Sequence, residues 1–297
     1  MIKRSSSSPH GLSQRGISLI ELLVGIVIGL LTVIVAMGAL LVSRNVSGTV
    51  SDASQMQQQA ANAFRIIGQQ MRQAGSLRLN LAAQKPEGSA IDMADKVAFE
   101  TKVGDFDPVN TIRGKSSPAS SEYSVTVAFR NYAEPVYTSA SDASLFRNCL
   151  GRTTSSSLMQ SAFVLYVNPD DPTQRELRCD GSAPSGTADP QAIAQNVANF
   201  QVRYLVQADV APFGNPQIRY FDADGVGANW SKVTAVEVCL VLYGTELVEM
   251  PSGTAYVDCD SSTSVDMTTL AAPRKNRTHL VFKNVYQIRS QGLVKTS

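Results

Sequence analysis

The sequence predicts an α+β protein in which one long N-terminal α-helix packs on an antiparallel, β-rich C-terminal head. Three observations lead to this fold class. From Leu22 to Val42 the chain has 21 residues without a charge. Apolar residues then recur at helical spacing as far as Ala74. From Ser76 onward, turn-forming residues separate short segments rich in β-branched and aromatic residues, which is typical of strands.

Residues 1–16 form a basic, serine-rich leader, in which Lys3, Arg4 and Arg15 carry charge and no acidic residue occurs. Without them the net charge of +1 becomes an excess of acid, with 23 basic and 25 acidic residues. The sequence therefore gives no sign of a broad nucleic-acid surface. As a helix, the uncharged run would span about 31 Å, the thickness of one hydrocarbon core. The preceding basic residues orient the N-terminus toward the cytoplasm and the head outward.

Two common export signals explain this N-terminus only in part. A secretory signal peptide has a shorter apolar region and ends at a small-x-small site, which residues 36–38 match poorly. A plain signal anchor explains everything except Glu21. A carboxylate at the head of an apolar helix costs on the order of a few kcal/mol inside hydrocarbon. It therefore either reaches water at the interface or meets a cation within an assembly.

The segment from Arg15 to Leu22, Arg-Gly-Ile-Ser-Leu-Ile-Glu-Leu, resembles the type IV prepilin motif. The resemblance implies that a prepilin peptidase cuts between Gly16 and Ile17 and methylates the new N-terminus at Ile17. It also implies that Glu21 neutralises the N-terminal amine of a neighbouring subunit as the helices bundle. This pairing is physically reasonable, because a carboxylate and an amine together are favoured over either charge buried alone.

The helix is expected to cover residues 17–75, with a transmembrane or bundle part at 17–42 and an amphipathic part at 43–75. Gly25 and Gly29 form a small-xxx-small pair, which either allows close helix packing or reflects the ordinary glycine content of such helices. Gly75 is the predicted stop. The amphipathic stripe is Val46, Val50, Ala53, Met56, Ala60, Phe64, Ile67, Met71 and Ala74.

The head is expected to cover residues 76–297. Its predicted strands are residues 123–130, 162–167, 199–207, 234–243 and 280–289, and its predicted loops are residues 85–94, 113–121 and 182–190. Residues 72–75, 196–204, 222–225 and 230–238 look like the corresponding parts of PilW-type minor pilins. With the prepilin motif, the resemblance implies a pilin-like fold.

The cysteines Cys149, Cys179, Cys239 and Cys259 contain no CxxC pair and have no histidine at metal-ligand spacing. An even number of separated cysteines suits two disulfides in an exported domain. Four cysteines allow three pairings. We favour the nearest neighbours, Cys149 with Cys179 and Cys239 with Cys259, in a structural role.

The sequence offers no convincing catalytic or cofactor site, so we predict a protein that is not an enzyme and needs no cofactor. It contains no GxSxG, P-loop, HExxH or dinucleotide fingerprint. His279, beside the last predicted strand, is interpreted as a structural or surface residue. Asp222 and Asp224 loosely match a calcium loop but lack its other ligands, so a hairpin turn is the favoured interpretation.

These features favour a minor pilin that helps to initiate or cap a type IV pilus within a tip-proximal complex. The alternatives are a J-like pseudopilin of type II secretion and a tip adhesin or DNA-uptake subunit. Since the outermost pseudopilin commonly lacks the glutamate, Glu21 implies docking against another subunit above. Expected partners are other minor pilins, the major pilin, the prepilin peptidase, the assembly platform and the inner membrane, and no nucleic acid. The head would be periplasmic before assembly and on the cell surface afterwards.

Overall fold

The computed structural model describes residues 16–86, 89–100, 102–138, 140–181, 188–207 and 217–288. The predicted leader, except Gly16, lies outside the described residues, as do most of the predicted loop at 182–190, the side chain of Val46 and the last residue of the segment 280–289. The contacts divide the chain into two compact units. One ends at Val50, and the other begins at Ser51. The division falls inside a helix, so the second half of that helix belongs to the unit with the sheets.

Helix α1 runs over Leu19–Gln73 and contains 55 residues. Ser18 precedes its first turn, and the Ser18 hydroxyl accepts a hydrogen bond from the Glu21 amide at 3.3 Å, as at a serine N-cap. At the other end Gly75 has φ of +72°, the left-handed conformation that glycine adopts easily after a helix. The Gly75 amide donates to the carbonyl of Ala128 at 2.9 Å, which ties the end of the helix to a strand.

After α1, all strand pairs among the described residues are antiparallel. One sheet has the order β3-β4-β5-β6-β7, with β3 at Ile112–Arg113, β4 at Val125–Arg130, β5 at Leu158–Val167, β6 at Arg175–Asp180 and β7 at Gln191–Gln195. A second has the order β13-β10-β8-β9, with β13 at His279–Gln287, β10 at Val233–Tyr243, β8 at Val197–Gln207 and β9 at Ile218–Phe221. Two ribbons pair β1 (Leu79–Asn80) with β2 (Ala98–Phe99) and β11 (Ala255–Val257) with β12 (Ser264–Asp266). Short helices occur at Pro108–Asn110 (3-10), Ala223–Val226 (α2) and Trp230–Lys232 (3-10). The fold is therefore α+β, with an N-terminal helix followed by antiparallel sheets, as the sequence predicts.

One nearly continuous stretch of chain connects the two larger sheets. Strand β7 ends at Gln195 and β8 begins at Val197, with only Asn196 between them. Asn196 has φ of 55°, a left-handed conformation that asparagine tolerates better than most residues. The kink at Asn196 lets the chain leave the five-stranded sheet and enter the four-stranded one.

The five predicted strands correspond to β4, β5, β8, β10 and β13, with ends that differ by up to four residues. The sequence analysis missed β6, whose sequence Arg-Glu-Leu-Arg-Cys-Asp is mostly charged. Two of those charges, Glu176 and Arg178, pair with each other at 2.9 Å, which lowers the cost of placing charged side chains in the strand. Arg113 was predicted to begin a loop but ends strand β3.

The core of the second unit lies where α1 packs on the sheets. The buried apolar residues of the helix and of the residue just after it follow steps of three and four, and they are Met56, Ala60, Ala63, Ile67, Met71 and Ala74. Three members of the predicted stripe differ: Val50 is 64% exposed, and Ala53 and Phe64 are only partly buried, with Ala63 taking the inward position next to Phe64. The helix reaches the four-stranded sheet at Gly68, where a methyl group would lie 2.6 Å from the Tyr286 ring. Only glycine permits this close approach.

Candidate functional site

The predicted processing site lies immediately before the helix. Gly16 and Ile17 precede α1, and the Ile17 side chain is 74% exposed. Glu21 falls in the first helical turn, and its side chain is also exposed. Glu21 lies four positions after Ile17, the proposed new N-terminus, so both groups would lie at the start of one helix. The geometry is compatible with cleavage and with pairing to another chain, which remain predictions.

The apolar side chains of the first half of the helix are not covered by any of the residues that the structure describes in the unit that ends at Val50. Among the described residues, Leu19–Leu40 is the segment long and apolar enough to cross a membrane, judged by length and composition. Every side chain in it is exposed. Thr32, its one clearly polar residue after Glu21, donates its hydroxyl to the Gly29 carbonyl at 2.8 Å. Because that hydroxyl is satisfied inside the helix, it adds little cost in an apolar environment.

Gly25 and Gly29 lie on this exposed part of the helix. A methyl group added at either glycine would meet no other atom within 4 Å. The two positions therefore leave a shallow, unoccupied surface that a neighbouring helix could approach closely. Their role in packing remains a prediction.

Both disulfides favoured by the sequence are present, joining Cys149 to Cys179 and Cys239 to Cys259. Cys179 lies on β6, and Cys149 lies in the connection between β4 and β5. Cys239 lies on β10, and Cys259 lies between β11 and β12. Each bond therefore fastens a loop or ribbon to a strand of a larger sheet, which is a structural role.

A buried carboxylate that sequence reasoning missed holds a loop against the helix. Asp52 is buried, and its oxygens accept from the Thr245 amide at 2.8 Å, the Thr245 hydroxyl at 3.0 Å and the Glu246 amide at 3.3 Å. A methyl group at Gly244 would collide with the same carboxylate, so glycine is required there. Arg277 donates to the carbonyls of Gly244 and Thr245 from the other side. This loop is thus fixed to the helix by Asp52 and to the segment before β13 by Arg277.

A second polar contact missed from the sequence joins the helix to the five-stranded sheet. Gln70 is fully buried, and its carbonyl oxygen accepts from the Ser161 hydroxyl at 2.9 Å. The Ser161 oxygen in turn accepts from the Cys149 amide at 3.0 Å, and the Gln70 amide donates to the Arg147 carbonyl at 3.3 Å. Asp52 and Gln70 share the phase of the apolar stripe, which is the sequence signal that could have revealed them.

His279 is buried at the start of β13 and stacks on the Tyr256 ring, with ring centres 4.7 Å apart. Its Nδ1 lies 2.9 Å from the Arg277 carbonyl oxygen, which can only accept, so Nδ1 carries the proton. Burial lowers the pKa of His279 below its ordinary value, and the nearby Arg274 adds to that effect. These contacts fit a structural histidine.

The weak calcium candidate is used for local structure. Asp222 caps α2 and accepts from the Gly225 amide at 2.7 Å. The Asp224 amide donates to the Ser116 hydroxyl at 3.2 Å. Within the described part of the chain, no three histidine, cysteine, aspartate or glutamate residues come together in a way that could hold a metal ion.

Comparison with known proteins places these features in a family context. The family model described as Type IV Pilus-assembly protein W, PilW, matches residues 164–290. A solved structure of a type IV-like pilin from Thermus thermophilus is 11% identical, covering 80% of this chain and 98% of that one with a TM-score of 0.34. At that score the likeness adds nothing to the fold assignment. No curated protein matches the sequence. The PilW match, with an apolar helix ahead of antiparallel sheets, supports a PilW-type type IV pilin.

Proposed function

We propose that this chain, whose C-terminal part matches the PilW family of type IV pilus-assembly proteins, is a minor pilin that helps to initiate or cap a pilus. In this proposal a prepilin peptidase cuts between Gly16 and Ile17 and methylates Ile17. The helix then leaves the membrane and enters the core of a tip-proximal complex. The role is structural and not catalytic, because pilins as a family are typically structural proteins.

The observation that carries the proposal is the exposed apolar half of α1 with a carboxylate in its first turn. Burying a large apolar side chain contributes about 1.5–3 kcal/mol, so a segment such as Leu19–Leu40 must be covered by lipid or by other helices. A membrane alone would accommodate the apolar residues, but Glu21 would have to reach water at the interface, because a carboxylate inside hydrocarbon is costly. A bundle of like helices accommodates both, because each Glu21 can meet the N-terminal amine of a neighbour.

The family match favours a pilus over the alternative of a secretion pseudopilus. In the proposal, Glu21 docks the subunit against another one above it, so the chain lies near the tip. Its partners are other minor pilins and the major pilin, together with the peptidase and the assembly platform. Before assembly the chain is anchored in the inner membrane with a periplasmic head, and after assembly the head is on the cell surface.

The first test determines the N-terminal residue of the full-length protein purified from membranes with and without the prepilin peptidase. We expect N-methyl-Ile17 when the peptidase is present and an intact leader when it is absent. A chain that keeps Met1 in both cases, or that is cut near Gly38, would eliminate the proposed bundle.

The second test separates processing from assembly with Glu21→Ala. Cleavage should continue, but at least tenfold less of the variant should enter sheared pili, because the N-terminal amine loses its partner. Thr32→Ala is the matched control, since it also replaces a polar residue of the same helix but one already satisfied by Gly29. Equal incorporation of the Glu21→Ala variant and the control would contradict the assigned role of the carboxylate.

A further inference from the structure

The exposed apolar residues of the second unit concentrate on the segment that follows α1. Six large apolar side chains between residues 79 and 99 are 44% to 104% exposed. We name these six the ribbon patch, since four of them lie on or next to the β1–β2 ribbon. The ribbon patch is Leu79, Leu81, Ile91, Met93, Val97 and Phe99.

The ribbon patch is large for a surface that faces water. From their exposed fractions, the six side chains together present several hundred Å². The largest apolar patch on a typical monomer is about 300–600 Å² and is often functional. A stable protein interface buries about 800 Å² on each partner. The ribbon patch thus supplies a substantial part of one side of such an interface.

The charges around the ribbon patch argue against a lipid surface or a nucleic acid as the partner. Residues 78–103 contain four basic and four acidic residues. Lys85 pairs with Asp95 at 2.7 Å, and Glu100 pairs with Arg130 at 2.9 Å and with Arg78 at 3.5 Å. Anionic lipids and nucleic acids attract an excess of basic residues, which this segment lacks. A protein surface of little net charge, with apolar side chains among polar ones, is the complementary partner.

The shape of this surface also suits a protein. Leu79 lies opposite Phe99 across the ribbon, and both line a groove of about 690 Å³ together with Leu81 and Ile91. Met93, two residues after Ile91 in the chain, is fully exposed. The segment after α1 therefore offers both a groove for a partner's side chain and an exposed side chain that a partner's groove can receive.

We propose that the ribbon patch docks the head of a neighbouring pilin of different sequence. This inference rests on the proposed function, because a filament is what brings a second pilin head alongside. Open filaments are built from heterologous contacts, in which a patch on one subunit meets a different surface on the next. In the proposed tip-proximal complex the neighbouring chains are other minor pilins, so the ribbon patch meets a different surface on a different chain.

The test places a photo-crosslinking amino acid at Met93 of the full-length protein in piliated cells and identifies the adduct by mass spectrometry. Val257, on β11 and 54% exposed, receives the same probe as a matched control. We expect an adduct with a different type IV pilin that is at least tenfold more abundant from Met93 than from Val257. An adduct only with a second copy of this chain, only with lipid, or with no pilin would overturn the inference.

Two substitutions measure the contribution of the surface. Ile91→Asp and Met93→Asp should each lower the number of pili at least tenfold, and Val257→Asp should change it less than twofold. Unchanged thermal unfolding of the purified variants would show that the head still folds. Normal piliation in both ribbon variants would refute the docking role.

Deletion of the whole chain separates this inference from the proposed function. If deletion leaves pili unchanged, the minor pilin proposal fails. If deletion abolishes pili but the Met93 probe captures no pilin, only the ribbon patch inference fails.

Discussion

The carboxylate of Asp52 allows a direct test of how burial sets the strength of a hydrogen-bonded loop anchor. It accepts from two backbone amides and one hydroxyl, all from Thr245 and Glu246. A hydrogen bond to a charged group contributes about 1.5–3 kcal/mol when buried. Asp52→Ala would leave these amides and the hydroxyl without their acceptor. Since Thr245 and Glu246 are themselves exposed, water would satisfy some of these donors. We expect a loss of about 3 kcal/mol in the free energy of unfolding.

The chain contains a matched control for this substitution. Asp260 also accepts from two backbone amides, Ser262 at 2.9 Å and Thr263 at 2.8 Å, and from the Thr263 hydroxyl at 2.5 Å. Its carboxylate is fully exposed, so water can replace all three bonds. Asp260→Ala should therefore destabilise the protein far less than Asp52→Ala, although each substitution removes the acceptor of two amide hydrogen bonds and one hydroxyl hydrogen bond.

Thermal unfolding of the mature full-length protein in detergent, followed by near-ultraviolet circular dichroism, measures both variants. A loss of about 3 kcal/mol corresponds to roughly 6–12 °C in Tm for a unit of this size. Hydrogen exchange should show lost protection at the amides of Thr245 and Glu246 in the Asp52 variant. Equal Tm shifts for Asp52→Ala and Asp260→Ala would refute the claim that burial makes the difference.

Three further predictions follow from close contacts in the head. Gly68→Ala should destabilise the head by about 1 kcal/mol in chemical unfolding, despite the better helix propensity of alanine, because the alanine methyl would lie 2.6 Å from the Tyr286 ring. In a Tyr286→Leu background the same substitution should cost nothing. If the losses of the two substitutions simply add, the proposed collision is not the cause. Replacing Cys239 and Cys259 by serine should cost about 3 kcal/mol for a 20-residue separation, and a Tm equal to that of the parent would contradict the stabilising role. Because the pKa of His279 is lowered in the folded protein, the unfolded chain binds the proton first as the pH falls below 6.5. The free energy of unfolding should therefore decline from pH 7 to pH 5, and His279→Gln should make that decline smaller. An unchanged slope in the variant would show that another group is responsible.

Features repeated along the sequence were predictable. The uncharged run and the stripe of apolar residues identified α1 because each rests on many positions, and errors at single positions such as Val50 do not alter the pattern. Strands β8 and β10 were recognised for the same reason. Strand β6 was missed because its mostly charged sequence opposes strand propensity, and the pairing of Glu176 with Arg178 becomes visible only in three dimensions.

The partners of the polar anchors Asp52 and Gln70 were not predictable from local sequence. Asp52 is buried by a loop that follows it by 193 residues, and nothing near Asp52 in the sequence indicates that partner. Gln70 likewise depends on Ser161, 91 residues away. Local patterns show which side of a helix faces a core, but they do not show which distant donor will satisfy a polar residue on that side.

The two halves of α1 differ in the specificity of their contacts, and this difference suits the proposed function. The second half fastens itself with directional contacts through Asp52 and Gln70, which fix one register between helix and sheets. The first half exposes apolar side chains that lipid or other helices can cover with nearly equal free energy. A helix that moves from a membrane into a filament must not bind the first environment too specifically. Glu21 makes the two environments differ in free energy, because its carboxylate is costly in lipid and is stabilised where an amine pairs with it. Under the proposed function, the single charge of the segment gives the transfer its direction, whereas the anchors of the second half keep the head attached to the helix.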